Sequence, residues 1–187
     1  MGTVKLVVPV CLDPDAAQEA ALRDTLALCN DAANLVSRQA FGMQVTGKQA
    51  LQRLVYGDLK QMGLSAQPAI HVARKVSGAY ATLKANIKAG NLGDPGSKRR
   101  AKAESRPITF RPGAAQPYDD RCLSWQLDRR SVSIWTTAGR MTGMRFPLLG
   151  SPVHAAPRAS PGRVGPGAPG RKVVPVRHLR GTRTGPR

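Results

Sequence analysis

Acidic side chains are missing from the last 59 residues of this 187-residue chain. All eleven Asp and Glu lie at or before Asp128, whereas twelve of the 29 Lys and Arg come after it. The formal net charge of +18 divides into +6 on residues 1–128 and +12 on residues 129–187. A field of this sign attracts phosphate backbones or anionic membranes. The charge therefore predicts a polyanionic partner without specifying which one.

Cysteines and long apolar runs are also scarce. Cys11, Cys29 and Cys122 are odd in number and widely spaced, which gives no disulfide framework and suits a reducing cytoplasm. No apolar run approaches the ~20 residues that a membrane-spanning helix needs. The amino terminus lacks the charged-then-apolar pattern of a signal peptide. We therefore expect a cytoplasmic protein that has no membrane partner.

Sequence motifs for catalysis or cofactor binding are absent. The chain contains no CxxC or HxxxH spacing, no GxSxG, no P-loop and no dinucleotide fingerprint. The adjacent pair Asp119 and Asp120 could bind Mg²⁺, but its position after Gln-Pro-Tyr favours a turn whose side chains bond their own backbone. We predict no catalytic residue, no metal, no cofactor and no small-molecule substrate.

Two segments show the alternating three- and four-residue spacing of apolar side chains that is typical of amphipathic helices, and a third, between them, has a shorter apolar stripe. The predicted helices begin at Asp13, Thr46 and near Ser65, and they end at Gly42, Gly63 and residues 89–91. Asp13 followed by proline is a typical N-cap, and residues 46–49 have capping-box spacing. Because short connections join the three helices, we expect a helical bundle over residues 14–92.

Short segments rich in β-formers lie on both sides of the helices. Predicted strands cover residues 5–12, 107–111, 122–127, 131–137 and 140–146. Strand, helices and further strands in this order predict an α+β protein, with a helical bundle inserted after the first strand of a small β-barrel. The predicted segments are residues 1–13 for the first strand, 93–106 for a basic linker and 107–146 for the remaining barrel strands. Residues 147–187, of which 26 are Ala, Gly, Pro or Arg, are predicted to be a disordered basic tail.

The densest cationic run in the predicted ordered part is SKRRAKAESRPITFR, residues 97–111. Such a run is either a solvated linker or a phosphate-binding surface. It leads directly into a predicted strand, and Tyr118, Trp125 and Trp135 follow as possible stacking groups, so we favour phosphate contact. The predicted contact residues are Lys98, Arg99, Arg100, Lys102, Arg106 and Arg111.

A second candidate surface lies on the third predicted helix. Gln67, His71 and Arg74 are spaced four and three residues apart, opposite the apolar stripe. Gln and Arg can form paired hydrogen bonds with base edges. From spacing alone, an ordinary solvent-facing polar stripe is the better interpretation.

Several blocks of the chain resemble a known family. They are KLVVPVCLDPDAAQEAALRDTLALCNDAANLVS, LSAQPAIHVARKVSGAYATLK, SRPITFRPGAAQPYDDRCLSW and VSIWTTAGR. Residues 4–146 resemble the N-terminal half of TnpB, the transposon-encoded protein related to type V CRISPR nucleases. The third and fourth blocks carry most of the resemblance.

The resemblance implies a fold, partners and candidate site residues. Members of this family are RNA-guided DNA endonucleases, whose N-terminal half is an oligonucleotide-binding-type β-barrel interrupted by a helical recognition domain. Guide RNA and DNA beside the target are the implied partners, in the cytoplasm of a prokaryotic host and at its nucleoid. Gln67, His71, Arg74 and Lys48 become candidates for contact with the target-adjacent motif, and the basic run becomes a candidate backbone clamp.

The chain departs from the family in its last part. A full member continues into a RuvC-type nuclease with three metal-binding acids and a four-cysteine zinc ribbon, whereas this chain has no acid after Asp128 and no cysteine after Cys122. We expect a truncated, noncatalytic transposase-family protein. A frameshift near Phe146 would explain the Ala, Gly, Pro and Arg excess, whose codons are GC-rich. The alternatives are a generic basic RNA-binding protein and a pseudogene product without function.

Overall fold

The computed structural model describes residues 10–147, which form four helices and a small antiparallel sheet. The helices are α1 (Ala16–Gly42), α2 (Lys48–Gln61), α3 (Ala66–Lys88) and α4 (Lys98–Glu104), and the strands are β1 (Leu123–Gln126), β2 (Ser131–Thr136) and β3 (Gly139–Arg145). The predicted α+β class is confirmed. The predicted first strand falls mostly outside the described residues, as does all but the first residue of the predicted tail. No helix between residues 10 and 147 combines the length and apolar character that crossing a membrane requires.

Helix α1 begins two residues later than the sequence predicts. Asp15, not Asp13, is its N-cap, and the Asp15 side chain and the Gln18 side chain form a reciprocal capping box. Asp13 instead forms an isolated antiparallel bridge with Arg145, to whose carbonyl its N–H donates at 2.8 Å. Asp13 therefore lies beside the end of β3.

The boundaries of α2 and α3 match the prediction, but the predicted cap of α2 does not form. Its N-cap is Gly47, which has no side chain to bond the first turn. Thr46 instead accepts a hydrogen bond from Lys84 Nζ at 2.8 Å, so the capping box predicted over residues 46–49 is wrong. Gly63 and Gly90 follow the two helices with positive φ, a backbone conformation that glycine adopts at helix ends without steric cost.

The three long helices share one apolar core. Val36 of α1, Leu51 and Val55 of α2, and Val72 and Val76 of α3 are fully buried there. Side chains of this size contribute about 1.5–3 kcal/mol each when they are removed from water. The apolar spacing from which the helices were predicted is therefore the spacing that packs the core.

The sheet has the order β1-β2-β3, with antiparallel pairing throughout. The three strands match the three last predicted strands, and the turns at residues 127–130 and 137–138 connect them. A second apolar cluster, which includes Val132, Ile134 and Met144, lies on the sheet, and Leu22 of α1 packs into it. Within residues 10–147 the sheet has three strands and is open, not a closed barrel.

The predicted strand at residues 107–111 is not a strand, because side chains of α1 satisfy its backbone. Phe110 N–H donates to Asn34 Oδ1 at 2.7 Å, and Asn34 Nδ2 donates back to the Phe110 carbonyl at 3.0 Å. One turn earlier, Asn30 Nδ2 donates to the carbonyls of Pro112 and Ala114. These bonds leave Phe110 no free backbone group for a neighbouring strand.

The segment predicted as a basic linker, residues 93–106, contains the helix α4. Ser97 is its N-cap, with Oγ accepting from Arg100 N–H at 3.2 Å. Arg100 and Glu104, four residues apart, form an ion pair along the helix at 3.1 Å. The densest cationic run of the sequence therefore has a defined shape over seven of its residues.

Candidate nucleic-acid interface

Basic side chains on residues 10–147 have few acidic partners. This part of the chain contains 20 Lys and Arg and 11 Asp and Glu. Within it, only two Lys or Arg side chains, Arg23 and Arg100, lie within ion-pair distance of a carboxylate. Because so little of the positive charge is neutralised internally, the surface keeps a positive field over the described residues.

The predicted phosphate-contact residues all lie at or near the surface. Lys98, Arg99 and Lys102 are exposed on α4, and Arg106 and Arg111 are exposed in the chain that follows it. Arg100 is half-buried because it pairs with Glu104. Five of these six side chains are therefore accessible to a ligand.

A groove of about 500 Å³ lies between the end of α1, the carboxyl-terminal half of α3 and the end of α4. Half-buried Phe41, Leu83 and Ile87 contribute apolar surface to it. Exposed Lys84, Lys88 and Arg106 contribute three positive charges. Glu104, which also lines the groove, is already paired with Arg100.

Apolar surface combined with cationic side chains suits a nucleic-acid strand. Lys and Arg neutralise phosphates, and apolar or aromatic side chains contact the faces of unpaired bases. Of the predicted residues, Arg106 lines this groove. Lys84 and Lys88 were not predicted from the sequence, although their four-residue spacing places them on one face of a helix.

The predicted stripe on α3 is not a solvent-facing surface. Arg74 is exposed, but His71 is only 7% exposed and its Nε2 lies 3.3 Å from Asp119 Oδ1. Gln67 donates to the other oxygen of Asp119 and accepts from Arg121 at 3.2 Å. Gln67 and His71 therefore bind the turn before β1, and their side chains are not free to read bases.

The predicted stacking residues are also engaged in packing. Trp125 meets Phe146 edge to face, with ring centroids 5.4 Å apart. Trp135 packs against the helical core, and Tyr118 packs on the sheet cluster, where burial raises the pKa of its hydroxyl. The separation between these residues in sequence gave no indication of these partners.

The turn at Asp119 brings together three side chains that could hold a metal ion. Asp119 Oδ1 accepts from Arg121 N–H at 3.2 Å, which confirms the predicted turn. Side-chain atoms of His71, Asp119 and Cys122 all lie within 4.8 Å of one another. Burial, and then the adjacent Asp119, raise the pKa of Cys122 to about 11. Burial opposes ionisation of Asp119, but hydrogen bonds from His71 and Gln67 outweigh it and lower the pKa of that carboxyl.

The last predicted contact residue, Lys48, is exposed as the first residue of α2. The structure thus brings Arg106 into one groove with Lys84 and Lys88. It leaves Lys48 and Arg74 accessible on other helical turns, and Gln67 and His71 are engaged in internal contacts.

Comparisons of the chain with protein-family models, curated proteins and solved structures find no match.

Proposed function

We propose that this chain is a noncatalytic nucleic-acid-binding protein that holds an RNA strand, and DNA next to it, on a cationic surface centred on the groove. The observation that carries the proposal is the combination of Lys84, Lys88 and Arg106 with the apolar side chains of Phe41, Leu83 and Ile87. The exposed cations of α4 and the following chain extend this surface.

Charge supports a polyanion over other ligands. With 20 basic and 11 acidic residues between positions 10 and 147, association with a phosphodiester strand releases condensed counterions, which is favourable at low salt. The groove is apolar only in part, because three of its side chains are cationic. A neutral small molecule would leave these charges without partners.

A relationship to the TnpB family is part of the proposal and rests on the sequence blocks that resemble it. In that family the helices form a recognition bundle inserted after the first strand of an oligonucleotide-binding-type barrel. The antiparallel bridge between Asp13 and Arg145 supports this arrangement, since it pairs a residue just before α1 with the edge strand β3.

The first test is equilibrium binding of a fluorescent single-stranded RNA, measured by anisotropy. We expect the triple variant Lys84→Ala, Lys88→Ala, Arg106→Ala to bind at least about tenfold more weakly than wild type at moderate salt. The matched control removes three exposed cations that do not line the groove, through Arg53→Ala, Lys60→Ala and Arg129→Ala. Both variants lose three positive charges. The difference between their RNA affinities therefore shows how much the location of the charges in the groove contributes to binding.

Equal losses of affinity in the two triple variants would contradict the groove as the binding site. Thermal unfolding of both variants checks that the fold is intact. A transcript of the DNA flanking the gene, compared with an unrelated RNA of equal length, tests the family relationship separately. Equal affinity for the two RNAs would favour the generic basic RNA-binding protein.

A further inference from the structure

Three potential metal ligands of different chemistry converge where α3 meets the turn before β1. His71 offers an imidazole nitrogen, Asp119 a carboxylate oxygen and Cys122 a sulfur, and the three donor atoms lie within 4.8 Å of one another. They come from positions that are 48 and 3 residues apart in the chain. Among residues 10–147, this is the one group of three or more such side chains with this spacing.

We propose that His71, Asp119 and Cys122 bind one Zn²⁺ ion, with water in the fourth position. Nitrogen, oxygen and sulfur ligands together suit zinc, because Zn²⁺ accepts all three and has no geometric preference from d-electrons. Magnesium and calcium disfavour a thiolate ligand.

The observed distances are close to those of a zinc site. With bonds of 2.0–2.3 Å, the ligand atoms of a tetrahedral zinc ion lie about 3.3–3.8 Å apart. His71 Nε2 and Asp119 Oδ1 are already 3.3 Å apart, and Cys122 is within 4.8 Å of both. Side-chain rotations that move the Cys122 sulfur and the Asp119 carboxylate by up to about 1 Å would bring the ligand atoms to these distances.

Burial and charge are also compatible with this ion. His71 and Cys122 are 7% and 2% exposed, whereas the Asp119 side chain is 30% exposed, so the fourth position faces the solvent side. A carboxylate and a thiolate carry two negative charges, which neutralise Zn²⁺. On binding, the thiol forms a bond from sulfur to zinc, its proton leaves to solvent, and water is displaced from the ion.

The hydrogen bonds around the site orient its ligands. Gln67 donates to the second oxygen of Asp119, and Arg121 donates to Gln67. Partners of this kind fix the direction of ligating side chains, and their loss typically weakens metal binding by about 10- to 100-fold. The bound ion would join α3 to the turn before β1.

Cobalt provides a spectroscopic test on the full chain, because a thiolate bound to Co²⁺ gives a charge-transfer band that carboxylates and imidazoles lack. We expect the metal-free protein to develop this band with one equivalent of Co²⁺, and Zn²⁺ to displace it. Cys122→Ser should abolish the band and weaken Zn²⁺ binding at least about a hundredfold. Cys11→Ser, which changes the exposed cysteine, is the matched control and should leave the band unchanged.

A thermal-unfolding series makes the test independent of the spectrum. Zn²⁺ should raise the melting temperature of wild type and Cys11→Ser, but not of Cys122→Ser. If Cys122→Ser does not fold, Asp119→Asn replaces it, since this side chain is partly exposed, and it should lose at least about tenfold in Zn²⁺ affinity. No thiolate band in wild type, or a band lost in Cys11→Ser but kept in Cys122→Ser, would overturn the proposal.

Discussion

Lys75 of α3 is a half-buried charge that lies between Asn30 of α1 and the Phe110 ring. Its ammonium donates to Asn30 Oδ1 at 2.6 Å and lies 5.2 Å from the centre of the Phe110 ring. Burial lowers its pKa from the usual 10.5 to about 8, and the nearby Cys29 opposes this shift. Lys75 therefore carries its charge at neutral pH with one hydrogen-bond acceptor and one aromatic ring as partners.

The lowered pKa of Lys75 predicts a pH-dependent contribution to stability. Between about pH 8 and pH 10.5 the unfolded chain binds more protons at this side chain than the folded chain does. The free energy of unfolding contributed at Lys75 therefore rises with pH across that window. Buried Cys29 and Cys122, whose pKa values burial raises to about 11, contribute with the opposite sign.

A comparison with Lys75→Met tests the lysine while both cysteines stay in the variant. Because Lys75 lowers the pKa of Cys29, the substitution also raises the pKa of that thiol, which changes the comparison in the same direction. Chemical denaturation should show wild type gaining stability relative to Lys75→Met as pH rises from about 8 to about 10. Lys102→Met, exposed on α4, controls for the loss of a lysine charge. A difference between wild type and Lys75→Met that is constant or falls with pH would contradict this assignment.

At the scale of elements, α1 organises the molecule because it contacts both apolar clusters and the chain between them. Its asparagines bond the extended segment at residues 110–114, and Thr25 accepts from Thr137 N–H at 3.0 Å next to the sheet. Leu22 of the same helix enters the sheet cluster. The helices and the sheet are therefore joined through one helix.

Asn34→Ala tests this organisation. The substitution removes both hydrogen bonds to Phe110 and leaves its N–H and carbonyl unpaired in a partly buried position. We expect the free energy of unfolding to fall by about 2–3 kcal/mol. Asn91→Ala, at an exposed position after α3, should change it by less than about 0.5 kcal/mol. Urea denaturation measures both, and equal effects would mean that the segment is held mainly by other contacts.

The sequence predicts elements well where their signal is local. Apolar spacing gave α1, α2 and α3, and turns gave β1, β2 and β3, because these patterns are the ones that burial requires. The predictions for Phe110 and Thr46 were wrong because each bonds a residue that is distant in the chain. The backbone of Phe110 bonds Asn34, 76 positions away, and the hydroxyl of Thr46 bonds Lys84, 38 positions away. His71 was placed on a polar face for the same reason, as its partner Asp119 follows after a further 48 residues.

At the scale of the whole molecule, positive charge exceeds negative charge within the described residues and also after them. Residues 148–187 contain eight further Lys and Arg and no acid. The polyanionic partner expected from composition stays a prediction, and few cations of the described residues are paired internally. Composition gave no position for the proposed binding surface, because Lys84, Lys88 and Arg106 are brought to one groove only in the folded chain.

The salt dependence of RNA binding tests the central claim most directly. Each cation that contacts a single strand contributes about 0.7 to the slope of log K against log salt concentration. We predict that the variant lacking Lys84, Lys88 and Arg106 has a slope smaller in magnitude by about 2 than wild type, whereas the Arg53, Lys60, Arg129 control keeps the wild-type slope. Identical slopes in all three proteins would contradict the groove as the site where the strand is held.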